Sequence, residues 1–335
     1  MKRSLLALAA LTAFAGAASA QSSVTLFGIV DLNARSQKNG SAGEIKSLSQ
    51  DGINSSRLGF RGVEDIGGGM RAGFWIEGAL APDTGNAGGQ TWQRRSTVSL
   101  LGGFGEVRLG RDYTPTFWNH TVFDPFGTNG VGSANNLMTQ QSQATVLNSG
   151  IGTQVRANNT IGYFLPAMGG LYGQLMVAAG EATTGNKYGG GRIGYGAGPF
   201  NVAGAYGQTP KTGTMVDDYT EWNVAGSYNL GFMTLYGFYG EADYNNLKQK
   251  NAMAALSVPI GAGTIKASYN RVSGGADQIA AGYVYDLSKR TAVYATYARI
   301  SNDTGYKYVT SGNGPINNTT GQNSTGYEFG LRHSF

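Results

Sequence analysis

The last residues of the chain alternate between two kinds of side chain, and the final residue is aromatic. Tyr327, Phe329, Leu331 and His333 alternate with Glu328, Gly330, Arg332 and Ser334, and Phe335 follows. A strand with this period presents one set of side chains to each face. An apolar face opposite a polar one suits a strand that lies between lipid and water, as in a membrane-spanning barrel. The alternative is an edge strand at the end of a soluble domain.

The amino terminus has the features of an export signal. Two basic residues precede the apolar run 5–15, and Ala18-Ser19-Ala20 follows it. This order predicts a secretory signal peptide, residues 1–20, that is cleaved before Gln21. No later stretch approaches the roughly 18 uninterrupted apolar residues that a transmembrane helix needs. We therefore expect residues 21–335 to leave the cytoplasm as one domain without a helical anchor.

The composition disfavours a helical fold. The chain has 54 glycines, 19 tyrosines and no cysteine. Each glycine costs a helix about 1 kcal/mol relative to alanine, whereas glycine at strand kinks and tyrosine at two membrane interfaces are common in barrels. The absence of cysteine excludes a disulfide framework and a thiolate metal site. A formal charge of +5 without clustered basic stripes gives no case for nucleic-acid binding.

Sixteen segments have the strand pattern, and short turns and longer polar loops alternate between them. The segments are 24–31, 56–61, 70–78, 94–100, 104–112, 158–165, 171–180, 192–196, 201–207, 220–229, 233–242, 249–258, 264–271, 277–286, 291–301 and 325–335. This spacing fits tilted strands of roughly ten residues. The sequence predicts an all-β fold, a transmembrane 16-stranded antiparallel β-barrel, with fourteen or eighteen strands as alternative counts.

One connection, at about residues 113–155, is much longer than the others. It contains Phe117-Trp118 and Phe123-Asp124-Pro125-Phe126-Gly127. A loop of this length without regular structure needs a reason. A barrel of this strand number has a water-filled lumen, so a loop folded into the lumen would set its aperture. Aromatic clusters argue against the alternative, a solvated surface loop, and an inward-folded constriction loop is predicted.

Strand parity assigns several charged side chains to the lumen. Arg57 and Glu77 fall on the lumen face, and the alternation of the fourth predicted strand places Arg95 there rather than Arg94. Trp75 interrupts the pattern of its own strand. We therefore expect Trp75 to lie at a membrane interface.

Four motifs carry a resemblance to a known family. They are Ser22-Ser23-Val24-Thr25-Leu26-Phe27-Gly28, Ser56-Arg57-Leu58-Gly59-Phe60-Arg61-Gly62, Arg94-Arg95-Ser96-Thr97-Val98 and Gly105-Glu106-Val107-Arg108-Leu109-Gly110-Arg111-Asp112. With them, the chain resembles the trimeric general porins of Gram-negative outer membranes, and most closely their anion-selective branch. The resemblance covers essentially the whole mature chain.

The resemblance implies a row of wall arginines opposite the constriction loop, with a carboxylate beside them. The matching positions are Arg57, Arg94 and Arg156, with Glu77 nearby; Asp124 would supply negative charge from the loop. Guanidinium groups stay charged at all relevant pH values and would concentrate anions in a narrow aqueous passage. We expect passive diffusion of small hydrophilic solutes and inorganic anions, with moderate anion preference and no cofactor, metal or energy source.

The resemblance also implies partners. It predicts a homotrimer with Arg111 and Asp112 near the subunit interface. A headgroup-level arginine is the alternative for Arg111, since a lipid-facing guanidinium is costly near the bilayer midplane. The terminal strand would be the signal read by the barrel-insertion machinery, through Tyr327, Phe329, Leu331 and Phe335. The expected location is the Gram-negative outer membrane, reached through the periplasm, in contact with lipid and lipopolysaccharide.

Other functions remain as alternatives. A substrate-specific channel would need an aromatic track along the lumen, but Tyr283, Tyr285 and Tyr297 share faces with apolar residues and are expected in outward girdles. A hydrolase would have to use His120 with a loop aspartate, since the chain has two histidines and no cysteine and no G-x-S-x-G or H-E-x-x-H motif. A scaffold or adhesin would predict a helical plug or a large added domain.

Overall fold

The computed structural model describes residues 23–86, 91–138, 152–182, 186–211, 217–244, 247–310 and 319–335. The predicted signal peptide and residues 139–151 of the predicted constriction loop lie outside these ranges. The described strands are β1 (Ser23–Asn39), β2 (Glu44–Gln50), β3 (Arg57–Gly67), β4 (Met70–Ala79), β5 (Arg95–Gly102), β6 (Gly105–Tyr113), β7 (Arg156–Phe164), β8 (Leu171–Ala178), β9 (Tyr188–Ala197), β10 (Phe200–Thr209), β11 (Tyr219–Asn229), β12 (Thr234–Tyr244), β13 (Leu247–Ile260), β14 (Gly263–Val272), β15 (Ala276–Asp286), β16 (Thr291–Asn302) and β17 (Ser324–Ser334). The helices are α1 (Pro115–Phe123) and α2 (Asn135–Met138), and a 3-10 turn spans Gly40–Ala42.

The strands form one closed antiparallel sheet. From β3 to β17 each strand pairs with the next, and β17 pairs with β1. The other edge of β1 pairs with β3 through Ser23–Ile29 and with β2 through Leu32–Lys38. Because β2 and β3 lie end to end beside β1, the described segments close as a 16-stranded barrel, which confirms the predicted fold.

Some strand limits differ from the prediction. β1 continues to Asn39, and β2 occupies part of a stretch that we predicted to be a polar loop. The residues there are polar because they face the lumen: Asn33 is 1% exposed and Gln37 is 5% exposed. β9 begins earlier than predicted, at Tyr188, whose ring covers glycines of its own and the next strand. These two segments, one polar and one rich in glycine, are therefore strands, because side chains in the lumen cover one of their faces.

The two faces of the wall differ in chemistry. Outward positions of β17 are apolar and exposed, with Tyr327, Phe329 and Leu331 at 54%, 63% and 50%. The neighbouring inward residue Glu328 is 2% exposed. Tyr283, Tyr285 and Tyr297 are also exposed, in agreement with the outward positions predicted for them. An apolar outer surface and a polar lumen are the arrangement expected of strands in a bilayer.

Short turns connect the strands at one end of the barrel, and longer connections join them at the other. The turns between β3 and β4 and between β5 and β6 illustrate the short-turn end. The chain terminus also lies there, because Phe335 and Gly28 exchange two backbone hydrogen bonds of 3.0 Å each. A Cβ at Gly28 would collide with the Phe335 ring. None of the helices in the described residues is long and apolar enough to cross a membrane.

Candidate pore constriction

The connection between β6 and β7 enters the lumen as helix α1. Pro115 occupies the first turn, where a missing N–H is tolerated. Asn119 donates from Nδ2 to Oδ1 of Asn223 over 2.8 Å, and His120 Nε2 lies 2.9 Å from Oε1 of Glu221. At the end of the helix, a buried phenylalanine, Phe123, packs on the inner surface of β10 to β13. The helix is therefore fixed to one wall of the barrel, and the predicted inward fold of the loop is confirmed for its described part.

Asp124 organises the loop from within. Its carboxylate accepts backbone hydrogen bonds from Phe126 at 2.9 Å, Thr128 at 3.2 Å and Ala134 at 3.0 Å. The side chain is buried, and burial raises its pKa above the usual aspartate value. We expected Asp124 to present negative charge to the pore. That expectation is corrected, because its oxygens are directed at loop N–H groups.

The second half of the loop is held against β13 to β17. Gln278 donates from Nε2 to the carbonyl groups of Gly132 at 3.1 Å and Ser133 at 2.9 Å. Gln249 donates to the carbonyl group of Leu137 over 3.1 Å. Leu137 also packs in a buried cluster with Val272, Ala276 and Ile300 of β14 to β16 and with Tyr308 of the connection after β16. These contacts place the loop on one side of the lumen and leave the passage on the other.

Glu328 links the terminal strand to both the loop and the first strand. Its Oε1 accepts the N–H of Val131 at 3.4 Å, and its Oε2 lies 2.9 Å from Nη2 of Arg35. Gly130 precedes Val131 with φ of 69°, and a Cβ there would collide with Glu328 and with the Gly52 carbonyl. Arg35 was not among the predicted site residues, because its stretch was predicted to be a loop; the alternation of Asn33, Arg35 and Gln37 was the available signal.

On the open side, Glu77 holds two of the predicted arginines. Nε of Arg94 lies 2.6 Å from Oε1 of Glu77, and Nη1 of Arg57 lies 3.3 Å from the same oxygen. Glu77 is 6% exposed. Glu77 is opposite Gly59, two positions from Arg57 on the same face of β3, and the Arg94 N–H donates to the Glu77 carbonyl group at 3.0 Å. One carboxylate beside two guanidinium groups leaves a positive charge in a fixed position.

Arg156 completes the arginine row from the first residue of β7. It donates from Nε to the Arg94 carbonyl at 2.8 Å and from Nη2 to the Tyr113 hydroxyl at 2.8 Å. Its guanidinium carbon lies 4.3 Å from the centre of the Tyr113 ring. Neither of these partners is a carboxylate, so they orient Arg156 without neutralising it.

A cavity of about 220 Å³ lies between the loop and this wall. Its charged lining consists of Arg35, Arg94, Arg156 and Asp51. Burial raises the pKa of Asp51.

Directly behind this lining, Glu328 pairs with Arg35 and Glu77 pairs with Arg94 and Arg57. The four arginines still outnumber the three carboxylates by one, which makes the passage favourable for anions.

Asp51 occupies the bend between β2 and β3, and Asp31 holds that bend. The carboxylate of Asp31 accepts backbone hydrogen bonds from Gly52 at 3.2 Å, Ile53 at 3.0 Å and Asn54 at 2.8 Å. The Asp51 carboxylate in turn accepts the N–H of Ser56 at 2.6 Å. The negative group of the cavity is therefore as firmly positioned as the arginines that it opposes.

Arg95 and Asp112 lie on the inner side of the wall. Asp112 is 1% exposed, and its Oδ2 contacts Nη1 of Arg108 at 2.5 Å and Nε of Arg95 at 3.8 Å. We expected Asp112 near a subunit interface. That placement is corrected, because the regular alternation of β6 puts Asp112 on the lumen face with Arg108, where its own chain covers it. The expected interface position of Trp75 is corrected as well, since its ring centre lies 4.6 Å from the guanidinium carbon of Arg95 on the inner side.

Arg111, which was predicted together with Asp112 to lie near a subunit interface, is on the outward face of the wall. It donates from Nε to the Gln93 carbonyl at 2.5 Å and from Nη1 to Oδ1 of Asn158 at 2.6 Å. These neutral acceptors satisfy part of the guanidinium and leave its charge at the outer surface. An interface role for Arg111 stays a prediction.

The hydrolase alternative has no catalytic arrangement to support it. His120 is 5% exposed, and its ring packs against Phe117 and Phe238. Its contact with Glu221 ties helix α1 to the wall and lies away from the cavity lining. Among the described residues, no group of three or more His, Cys, Asp or Glu side chains could hold a metal ion.

Comparisons with known proteins agree with this architecture. The Gram-negative porin family model matches residues 7–305. The chain is 38% identical to outer membrane porin protein 32 of Delftia acidovorans over 100% of both chains. It is 28% identical to an outer membrane porin protein of Bordetella pertussis, over 89% of this chain and 94% of the relative.

Solved structures show the same fold. An anion-selective porin from Comamonas acidovorans is 36% identical and superposes with a TM-score of 0.83, over 94% of this chain and 100% of that one. The trimer form of OmpT from Vibrio cholerae has a TM-score of 0.71 over 94% and 99% of the two chains, at 15% identity, and so supports the fold alone. The chain therefore belongs to the Gram-negative porin family and is an outer-membrane channel protein rather than an enzyme.

Proposed function

We propose that this porin passes small hydrophilic solutes by passive diffusion, with a moderate preference for anions. The observation that carries the proposal is the excess of positive charge at the constriction. Arg156 is held by a carbonyl group and a tyrosine hydroxyl and contacts no carboxylate among the described residues, whereas Arg35 and Arg94 are each paired with one. The similar structure from Comamonas acidovorans is named as anion-selective, which supports the same preference here.

The arginines act through position as well as charge. Arg94 is fixed by Glu77, and Arg156 is fixed by Tyr113 and a backbone carbonyl group. Side chains held in this way create a field across a narrow aqueous passage without having to reorganise as each solute arrives. Such a field raises the local concentration of anions and lowers that of cations.

We also propose a homotrimer. A trimer form is named for one solved outer membrane protein of the same fold. Arg111 offers an outward guanidinium whose cost in lipid a subunit contact would remove. The outer face would contact lipid and lipopolysaccharide. The barrel-insertion machinery would recognise the terminal strand through Tyr327, Phe329, Leu331 and Phe335.

Single-channel recording tests the proposal. The purified protein is added to a planar bilayer under a KCl gradient, and conductance steps and the reversal potential are recorded. We expect open channels in groups of three with a reversal potential of anion sign. A channel with a cation-sign potential would contradict the anion preference, single ungrouped steps would contradict the trimer, and no conductance would contradict diffusion through the pore.

A further inference from the structure

Asn129 and Gly130 form an Asn-Gly pair on the loop side of the constriction. Both residues line the cavity between the loop and the arginine wall, as does Ser55. Oδ1 of Asn129 accepts the hydroxyl of Ser55 at 2.6 Å, and Nδ2 of Asn129 donates to the Gly127 carbonyl group at 2.5 Å. Asn129 is partly exposed. The side-chain amide of this pair is therefore held at the edge of the narrow aqueous passage.

An asparagine that precedes glycine can lose its side-chain amide by an intramolecular reaction. The backbone nitrogen of the glycine gives up its proton and attacks Cγ of the asparagine, so that an N–C bond forms. The bond between Cγ and the amide nitrogen then breaks, and that nitrogen takes up protons and leaves as ammonia. Water opens the resulting succinimide ring to aspartate or isoaspartate. Glycine favours the attack because it has no side chain to shield its nitrogen.

The surroundings of Asn129 favour each part of this reaction. The N–H of Gly130 makes no hydrogen bond with any residue in the described part of the chain, so the attacking nitrogen is free. The Ser55 hydroxyl draws electron density from the carbonyl carbon that is attacked, as a donor does in an oxyanion hole. The excess of positive charge at the constriction stabilises the anion that forms when the nitrogen adds. Water for the second step reaches the pair through the passage.

A second Asn-Gly pair, Asn39 and Gly40, offers a comparison within the same chain. Oδ1 of Asn39 also accepts a hydroxyl, that of Ser324 at 2.6 Å, and both glycines have a positive φ, 53° for Gly40 and 69° for Gly130. However, the Gly40 N–H donates to the Asn323 carbonyl group at 3.0 Å, and Asn39 is only 3% exposed. The two pairs therefore differ in the availability of the attacking nitrogen and of water.

We propose that Asn129 is a deamidation site, and that its conversion to aspartate or isoaspartate lowers the anion preference of the pore as the protein ages. The four arginines at the constriction outnumber the three carboxylates by one, so one new carboxylate removes the excess. Isoaspartate also adds a main-chain carbon before Gly130, where a Cβ would already collide with Glu328 and the Gly52 carbonyl group. The chemical step is independent of the proposed function, whereas its effect on selectivity rests on that function.

Peptide mapping by mass spectrometry tests the chemical step. The folded full-length protein is held in detergent at mildly alkaline pH and sampled over weeks, and the fraction of each Asn-Gly pair that has exchanged its amide for an acid is measured. We expect Asn129 to convert at least about tenfold faster than Asn39, a difference of roughly 1.4 kcal/mol in activation free energy. Asn313-Gly314, the third such pair of the chain, lies outside the described residues and is mapped separately.

Protein unfolded in denaturant is the matched control for this measurement. Without the folded structure, both pairs should convert at similar rates, because they share the Asn-Gly sequence. Equal rates at Asn129 and Asn39 in the folded protein would overturn the proposed site. A tenfold difference that persisted in the unfolded chain would overturn the structural explanation of it.

Reversal potentials of fresh and aged channels test the effect on selectivity. Asn129→Asp introduces the carboxylate at once, and Asn129→Gln keeps an amide that cannot close the same ring. We expect an anion-to-cation permeability ratio at least about twofold lower for Asn129→Asp, the effect of roughly 0.4 kcal/mol. Aged wild type should drift toward that ratio, and aged Asn129→Gln should not.

The outcomes for the modification and for the channel are distinct. An unchanged ratio in Asn129→Asp, or an equal drift in aged Asn129→Gln, would overturn the effect on selectivity while a fresh, anion-preferring wild type still upheld the proposed function. A fresh wild type without anion preference would overturn the proposed function and, with it, the effect on selectivity. Peptide mapping decides the chemical step in either case.

Discussion

Arg94 donates from Nε to Oε1 of Glu77 over 2.6 Å, and Arg57 shares that oxygen from 3.3 Å. The carboxylate therefore fixes two guanidinium groups while neutralising the charge of one. Opposite them, Gln278 and Glu328 hold the loop by its backbone. Two hydrogen-bond networks thus determine the charge and the width of the passage, one on the wall and one on the loop. Each network can be changed by its own substitution.

Removing the shared carboxylate should strengthen anion preference and weaken the fold. Glu77→Gln keeps the size of the side chain but leaves Arg57 and Arg94 without their ionic partner. The hydrogen bonds that it loses are charge-assisted and are worth about 1.5–3 kcal/mol each. We expect a larger anion-to-cation permeability ratio and a lower thermal unfolding temperature. Reversal potentials and thermal melting check the two effects, and an unchanged or smaller ratio would contradict the assigned role of Glu77.

Loosening the loop should widen the passage. Gln278→Leu removes the amide group that donates to Gly132 and Ser133, at a cost of about 1–3 kcal/mol for each carbonyl group left unsatisfied. We expect higher and noisier single-channel conductance. Gln174→Leu is the control, since Gln174 is buried and its Nε2 has no hydrogen-bond partner among the described residues. Equal effects of the two substitutions would contradict a specific tether.

Shortening the loop tests the aperture directly. We expect deletion of residues within 131–150 to raise conductance, because Val131 and Leu137 pack the loop into the lumen. Residues 139–150 of that range lie outside the described structure. Single-channel conductance in concentrated salt, where surface charge is screened, isolates the change in size; an unchanged value would contradict a narrowing role.

Acidification should increase anion preference through Asp51. Burial raises the pKa of this carboxyl group, so it takes up a proton at a higher pH than an ordinary aspartate as the pH falls. Protonation removes the carboxylate that opposes Arg35, Arg94 and Arg156 in the cavity lining. Reversal potentials between neutral and mildly acidic pH measure the effect. Asp51→Asn should be more anion-preferring at neutral pH and lose this pH response, and a variant with the full response would contradict the assignment.

The terminal aromatic should matter for assembly. Phe335 closes the barrel through its two backbone hydrogen bonds to Gly28, and its ring lies against that glycine. We expect Phe335→Ala to lower the amount of folded protein in the outer membrane, as measured by heat-modifiable mobility of membrane fractions. Phe200→Ala is the control, because Phe200 is an exposed aromatic at 58% on a different strand. Equal yields from both variants would contradict a special role for the terminus.

Most of the wall could be predicted from the sequence. Alternation indicated the strands and the lumen positions of Arg57, Glu77 and Arg95, since a period of two follows directly from strand geometry. It failed in the polar stretch that contains Arg35, because lumen-facing strands look like loops when their outward positions are small or polar. Arg94 was predicted from the resemblance to known porins, because it precedes β5 and the alternation of strand residues does not apply to it.

The loop was harder to predict. Its inward course follows from aromatic clusters and barrel width, but the direction of each side chain depends on contacts between residues far apart in the chain. Asp124 shows the difficulty, because its use by three loop N–H groups has no signature in local sequence. Asp112 shows a different error, because the alternation that puts Arg108 on the lumen face also puts Asp112 there, whereas its expected place near an interface came from the family resemblance.

The reversal potential of an arginine triple variant tests the central claim most directly. Removing one unit charge at roughly 5 Å in water changes the local energy of an anion by about 0.8 kcal/mol, so replacing Arg57, Arg94 and Arg156 by glutamine should lower the anion-to-cation permeability ratio severalfold. The matching lysine triple variant keeps the charge and serves as the control. We predict a reversal potential near zero or of cation sign for the glutamine variant and of anion sign for the lysine variant. An unchanged anion-sign potential in the glutamine variant would contradict the account.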